Sequence, residues 1–144
     1  LDAGRPVELR YPGAVRPWQH VLEPLSGYPR HAQALAEDPG RAPAALNFGP
    51  DPGAFLTVRD LVERFSARFS GRPGWTAQPG DHPAEAGYLT LDSARAEATL
   101  GWRPRLSADA AIAWTAGWHA ALAAGARARD LVLADIERYE GTAP

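Results

Sequence analysis

Only three short stretches of this chain read as β-strands, and that scarcity constrains its fold more than any other feature. Pro6–Tyr11 alternates apolar and polar residues and closes on a Pro12-Gly13 turn; Ala44–Phe48 and Trp75–Gln78 are the other two. Strands this few and this short cannot close a sheet of their own. They read as additions to a sheet whose main strands lie elsewhere.

Helical patterns fill most of the remainder. Leu22, Leu25, Tyr28, Ala32 and Leu35 keep roughly helical spacing within a segment from about Val21 to Glu37, with Pro24 and Pro29 disturbing its first turns. Thr57 followed by Asp60 forms a capping box for a helix whose face is Val58, Leu61, Val62, Phe65 and Phe69, ended by Gly71. Asp92 caps a two-turn helix, Ser93–Leu100, stopped by Gly101 and Pro104. Ser107 caps a longer helix to about Ala124, with Ala111, Trp114, Trp118, Ala121 and Leu122 on one stripe. A fifth runs from about Arg127 to Tyr139 and presents Val132, Ile136 and Tyr139. The fold class is therefore α/β with a mostly helical balance: five helices and two or three short strands.

The chain has 144 residues, the size of one ordinary domain, and no internal repeat or second boundary divides it. Its opening, Leu1-Asp2-Ala3-Gly4, reads as the last turn of a helix with Gly4 as its left-handed cap. The expectation is a piece of a longer protein. A net charge of −2 gives no electrostatic case for nucleic acid or for an anionic membrane. Ala110–Ala126 is the most apolar run, but it is mostly alanine and contains His119, so a partly buried helix is expected there.

Several chemistries are excluded outright. All 15 cationic side chains are arginine, so no step that needs a lysine ammonium can be run by this chain. Cysteine is absent, which removes thiolate nucleophiles, thiolate zinc sites and disulfides. No glycine-rich dinucleotide loop, phosphate loop or serine elbow occurs. His20, His31, His82 and His119 are scattered, and zinc needs three or four ligands held together.

What remains is binding chemistry in two clusters. The first is Arg16-Pro17-Trp18-Gln19-His20-Val21, where a guanidinium can take phosphate oxygens in a fork and an indole can pack on a base or sugar. Taken alone, the same residues describe a surface arginine and a core tryptophan. The second runs from Asp81 through His82 and Glu85 to Asp92, followed by Leu100-Gly101-Trp102-Arg103-Pro104. Glu85 can accept two ribose hydroxyls and a charged His82 could touch phosphate. Asp92 reads as a cap and Trp102 as a packing residue.

Taken in order, these segments resemble the C-terminal part of the extended short-chain dehydrogenase/reductase family of nucleotide-sugar epimerases and dehydratases. Arg16 through Val21 is similar to its Arg-Asp-aromatic-x-His-Val segment, and Leu46-Asn47-Phe48-Gly49 to its Asn-x-Gly strand end. His82-Pro83-Ala84-Glu85 stands where the family carries Arg-Pro-Gly-Asp, and Leu100–Pro104 matches Leu-Gly-Trp-x-Pro. Within the family the likeness is greatest to the 4,6-dehydratases of CDP-linked glucose. That resemblance implies CDP-glucose as substrate and NAD as cofactor, the NAD bound by an N-terminal Rossmann portion outside residues 1–144. It implies a substrate-binding set of Arg16 at the diphosphate, Trp18 lining the nucleotide site, Glu85 in place of the ribose-binding aspartate and His82 in place of a second phosphate-binding arginine.

The family's Tyr-x-x-x-Lys pair is impossible without lysine, so no catalytic residue is assigned and the chain alone is expected to be inactive. The resemblance further implies a cytoplasmic, homo-oligomeric full-length enzyme. Two alternatives stay open. One is an epimerase, or a dTDP- or GDP-sugar dehydratase, of the same family; the other is a non-catalytic module that binds a sugar nucleotide or a protein.

Overall fold

The computed structural model describes residues 5–69 and 74–143. Five helices and four very short strands follow one another: β1 (Val7–Leu9), β2 (Val15–Arg16), α1 (Leu22–Glu37), β3 (Leu56–Thr57), α2 (Val58–Ser66), β4 (Trp75–Ala77), α3 (Ala94–Leu100), α4 (Ala108–Ala123) and α5 (Ala128–Glu140). β1 pairs in parallel with β4, Glu8 opposite Thr76, and β2 pairs antiparallel with β3. Gly71 and Gly4 lie outside the described residues, but α2 stops before the expected Gly71, at Ser66 with Ala67 as its C-cap, so Phe69 lies beyond the helix.

The helices whose N-termini carry local signals begin at, or within one residue of, where the sequence places them. Thr57 Oγ1 accepts from Asp60 N at 3.0 Å while Asp60 Oδ2 accepts from Thr57 N at 3.3 Å, closing the capping box of α2. Ser107 Oγ accepts from Ala110 N at the start of α4. Asp92 Oδ1 accepts from Ala94 N, but Ser93 is the cap residue of α3, one position later than expected. Gly101 then ends α3 with φ 60°, a left-handed conformation natural to glycine.

The structure corrects the Ala44–Phe48 strand: no ladder forms there. The backbone groups at its end find side-chain partners instead, because Gln19 Nε2 donates to Phe48 O at 2.8 Å and Ser93 Oγ accepts from Gly49 N at 2.7 Å. Phe48 turns inward and meets Trp102 edge to face at 5.0 Å; with Ala96 they form a core flanked by Leu46 and Leu100.

The buried face of α1 also differs from the apolar stripe. Leu25 and Tyr28 are exposed, whereas Glu23 and Gly27 are buried. Gly27 is there because a Cβ at that position would lie 2.3 Å from the Phe48 ring, so only glycine lets the helix approach this closely. On α5, Val132 and Ile136 are exposed and Tyr139 alone of the expected face is buried. On α4, Ala111 and Trp114 are buried with Ile112 and Ala116, while Leu122 is exposed.

Glu23 explains the rotation of α1. It is 1% exposed, and its carboxyl oxygens accept from Arg105 N at 2.9 and 3.1 Å, from Leu106 N at 2.7 Å and from Tyr139 Oη at 2.7 Å. Ser26, one turn on, donates to Glu23 O and accepts from Trp102 Nε1 at 2.8 Å. Burial, with Glu23 beside it, pushes the Tyr139 phenol up to about 12, so it remains a donor throughout the neutral range.

Glu23→Ala leaves the Arg105 and Leu106 backbone donors unpartnered, at roughly 1–3 kcal/mol per buried group, and leaves the Tyr139 phenol only Ser26 Oγ, 3.2 Å away. The expected loss is about 3 kcal/mol or more by urea unfolding, with Glu23→Gln recovering part of it because one acceptor oxygen is retained. A loss under about 0.5 kcal/mol for the alanine variant would show the network to be incidental.

His20 supplies a pH test. Burial against Trp114, 5.5 Å away edge to face, holds its pKa below the usual 6.5, opposed in part by Asp135 and Glu23. Above 6.5 neither the folded nor the unfolded imidazole is charged. As pH falls from 6.5 towards the lower folded value, the unfolded chain binds the proton first, so stability is lost in that window. His20→Gln should therefore lose less stability than the parent between pH 7.5 and 5.5, by up to about 1 kcal/mol. Equal losses would contradict this.

Candidate nucleotide-binding site

The 11–16 segment and the 78–88 arm come together at the edge of the small sheets. β2 pairs with β3 on one side and forms a parallel bridge to Tyr88 on the other, Val15 N donating to Gly87 O at 2.9 Å and Leu89 N donating to Val15 O at 3.2 Å. This pairing sets the arm carrying His82 and Glu85 beside Arg16, about 70 residues away in sequence.

Arg16 and Glu85, read from sequence as two parts of one site, are in direct contact. Arg16 Nη2 donates to Glu85 Oε1 at 2.5 Å, and Nη1 donates to Val15 O and Ala86 O at 2.8 Å each. The Arg16 side chain is mostly covered, at 15% exposure, whereas the Glu85 side chain is 44% exposed. The cation is thus fixed in direction by main-chain carbonyls, and its carboxylate partner lies on the solvent side.

His82 lies on the same arm. Its Nε2 is 3.2 Å from Gln78 O, and its ring meets Tyr11 edge to face at 5.8 Å. Tyr11 Oη donates to Pro83 O at 2.6 Å. Tyr11 escaped the sequence reading because this bond spans 72 residues and no local pattern announces it.

Trp18 occupies different surroundings. Its Nε1 donates to Leu56 O at 3.2 Å, and its ring lines an apolar hollow of about 340 Å³ with Val7, Leu61, Val62, Phe65 and Ile112. The buried Ser66 Oγ and Gln19 Oε1, both residues of that hollow, have no hydrogen-bond partner among the described residues. Gln19 is a further residue the motif reading passed over: its amide joins the 16–21 segment to Phe48 O.

The arrangement suits an anion with hydroxyls nearby: an oriented guanidinium for phosphate oxygens, and a carboxylate able to accept hydroxyl protons. The parallel pair β1–β4 is three residues long, and neither of its strands leads through a glycine-rich turn into a helix. Among the described residues, no helix is long and apolar enough to cross a membrane.

No protein-family model matches the chain. Over 121 residues, 84% of its length, it is 38% identical to a CDP-glucose 4,6-dehydratase of Salmonella typhimurium, of which it spans about a third (34%). Solved structures with the same fold include a UDP-glucose-4-epimerase from Stenotrophomonas maltophila with bound NAD and formylated UDP-arabinopyranose. There the TM-score is 0.69 at 22% identity, covering 84% of this chain and 37% of that one. A dTDP-glucose 4,6-dehydratase from Bacillus anthracis in complex with NAD aligns with TM-score 0.54 at 15% identity, over 81% and 35% of the two chains. By sequence the chain is similar to about a third of a CDP-glucose 4,6-dehydratase, and by fold to about a third of nucleotide-sugar epimerases and dehydratases.

Proposed function

We propose that residues 1–144 form the C-terminal, nucleotide-sugar-binding portion of an NAD-dependent 4,6-dehydratase that converts CDP-glucose to CDP-4-keto-6-deoxyglucose with loss of water. The observation that carries the reading is the Arg16–Glu85 pair, a directed cation and a carboxylate held together by two distant segments. The 38% identity to the Salmonella enzyme supports the choice of CDP-glucose.

In this reading Arg16 takes the diphosphate, Glu85 the ribose hydroxyls, and His82 approaches phosphate when protonated. Trp18 takes the base side by the family resemblance, while the hollow it borders with α2 and α4 includes none of Arg16, His82 and Glu85. NAD supplies the reversible oxidation and is bound by an upstream Rossmann portion. Catalytic residues belong there too, since the chain contains no lysine for a Tyr-x-x-x-Lys pair. Residues 1–144 alone are then inactive, and the whole enzyme is a cytoplasmic homo-oligomer. The short parallel pair β1–β4 accords with this, because parallel strands are rarely stable outside a larger covered sheet.

The test is a thermal-shift comparison of CDP, UDP, dTDP and GDP on the protein that includes the upstream portion. CDP should give the largest rise in Tm, and Arg16→Ala should weaken CDP binding by roughly ten- to a hundredfold, as loss of a charge-assisted contact does. A larger rise with UDP or dTDP would shift the assignment to an epimerase or another dehydratase of the family. No rise with any nucleotide would remove the nucleotide-sugar reading.

A further inference from the structure

The contacts around Arg16 do more than build a pocket wall. Nη1 is committed to two main-chain carbonyls, so the guanidinium cannot swing away, while Nη2 donates to Glu85. Glu85 sits on an arm without regular structure, 78–87, nearly all of it exposed. That arm is fastened on both sides of Glu85. Tyr11 Oη holds Pro83 O and Val15 N holds Gly87 O, with His82 resting on the Tyr11 ring. Between these fastenings the Glu85 side chain can turn about its own bonds without the main chain moving.

We propose that Glu85 is an exchangeable counter-ion, a latch that Tyr11 positions. Glu85 and an anionic ligand of the pyrophosphate class are alternative partners of Arg16 Nη2, and binding of the anion releases Glu85 towards the ligand's hydroxyls. This deepens, and rests on, the nucleotide-binding reading above. The exchange is favourable in direction. A half-exposed carboxylate pair is weak and screened by salt, whereas a pyrophosphate brings more charge and several oxygens to the same guanidinium. Tyr11 is a positioning residue: it touches the arm and acts through Glu85.

The probe is inorganic pyrophosphate, titrated at low ionic strength against the protein with its arginine side chains ¹⁵N-labelled, so that guanidinium signals report binding at millimolar affinity. Glu85→Gln should bind pyrophosphate about three- to tenfold more tightly than the parent, because the competing carboxylate is gone. Asp81→Asn, which neutralises another carboxylate on the same arm, should leave the affinity within about twofold, separating exchange at Arg16 from a general change of field. Tyr11→Phe keeps the ring against His82 and loses only the bond to Pro83, and should move in the same direction as Glu85→Gln by a smaller factor. A tyrosine that merely stabilised the fold would give no gain.

Unchanged or weaker binding in Glu85→Gln, or an equal gain in Asp81→Asn, overturns the latch. The two readings fail separately. If CDP gives no preferential stabilisation but Glu85→Gln still tightens pyrophosphate, the latch stands and the CDP assignment falls; if CDP does and Glu85→Gln does not, only the latch falls.

Discussion

The structure hangs on a single buried side chain, Glu23. A carboxyl group that is 99% covered is costly to bury, and it is tolerated here because its oxygens receive two main-chain N–H donors and a phenol. Those donors come from different parts of the chain: Arg105 and Leu106 from the turn before α4, and Tyr139 from the end of α5. Arg105 returns the connection by donating through Nη1 to Tyr139 O and Thr142 O, with its guanidinium 4.8 Å from the Tyr139 ring centroid. The first turn of α1 is thereby tied to the C-terminal third of the molecule.

That anchoring reaches the candidate site through the chain itself. α1 begins directly after the Arg16–His20 segment, so holding Glu23 fixes where the segment ends, while Gln19 fixes its middle on Phe48 O. The other side of the site is set by strand pairing to Tyr88 and by Tyr11. The interior is thus organised by hydrogen-bonded polar groups as much as by apolar packing. Such networks rigidify when every member is satisfied.

The residues also show what a sequence can and cannot disclose. α2 was legible because Thr57 and Asp60 are three positions apart and their reciprocal bonds need no other part of the molecule. The buried face of α1 was not, since it is chosen by partners: Phe48 demands a glycine at 27, and the 105–106 amides demand a carboxylate at 23. An apolar stripe is a poor guide where a polar network decides the rotation. Ala44–Phe48 misled for a related reason, its terminal backbone groups being met by the side chains of Gln19 and Ser93 and not by a neighbouring strand. β2 and β3, two residues each, are too short to leave a period-2 pattern. In the candidate site, the family resemblance named Arg16 and Glu85 together, and the structure shows the two side chains in contact. Tyr11 and Gln19 act across 72 and 29 residues, and such long-range bonds write nothing into the local sequence.

The central claim is that Arg16 and Glu85 hold the diphosphate and ribose of one nucleotide. The most direct measurement is a crystal structure of the protein with CDP bound. The account predicts phosphate oxygens within hydrogen-bond distance of Arg16 Nη2, the ribose hydroxyls on Glu85, and the Arg16–Glu85 bond broken. A nucleotide seated elsewhere, with the Arg16–Glu85 pair intact, would contradict it.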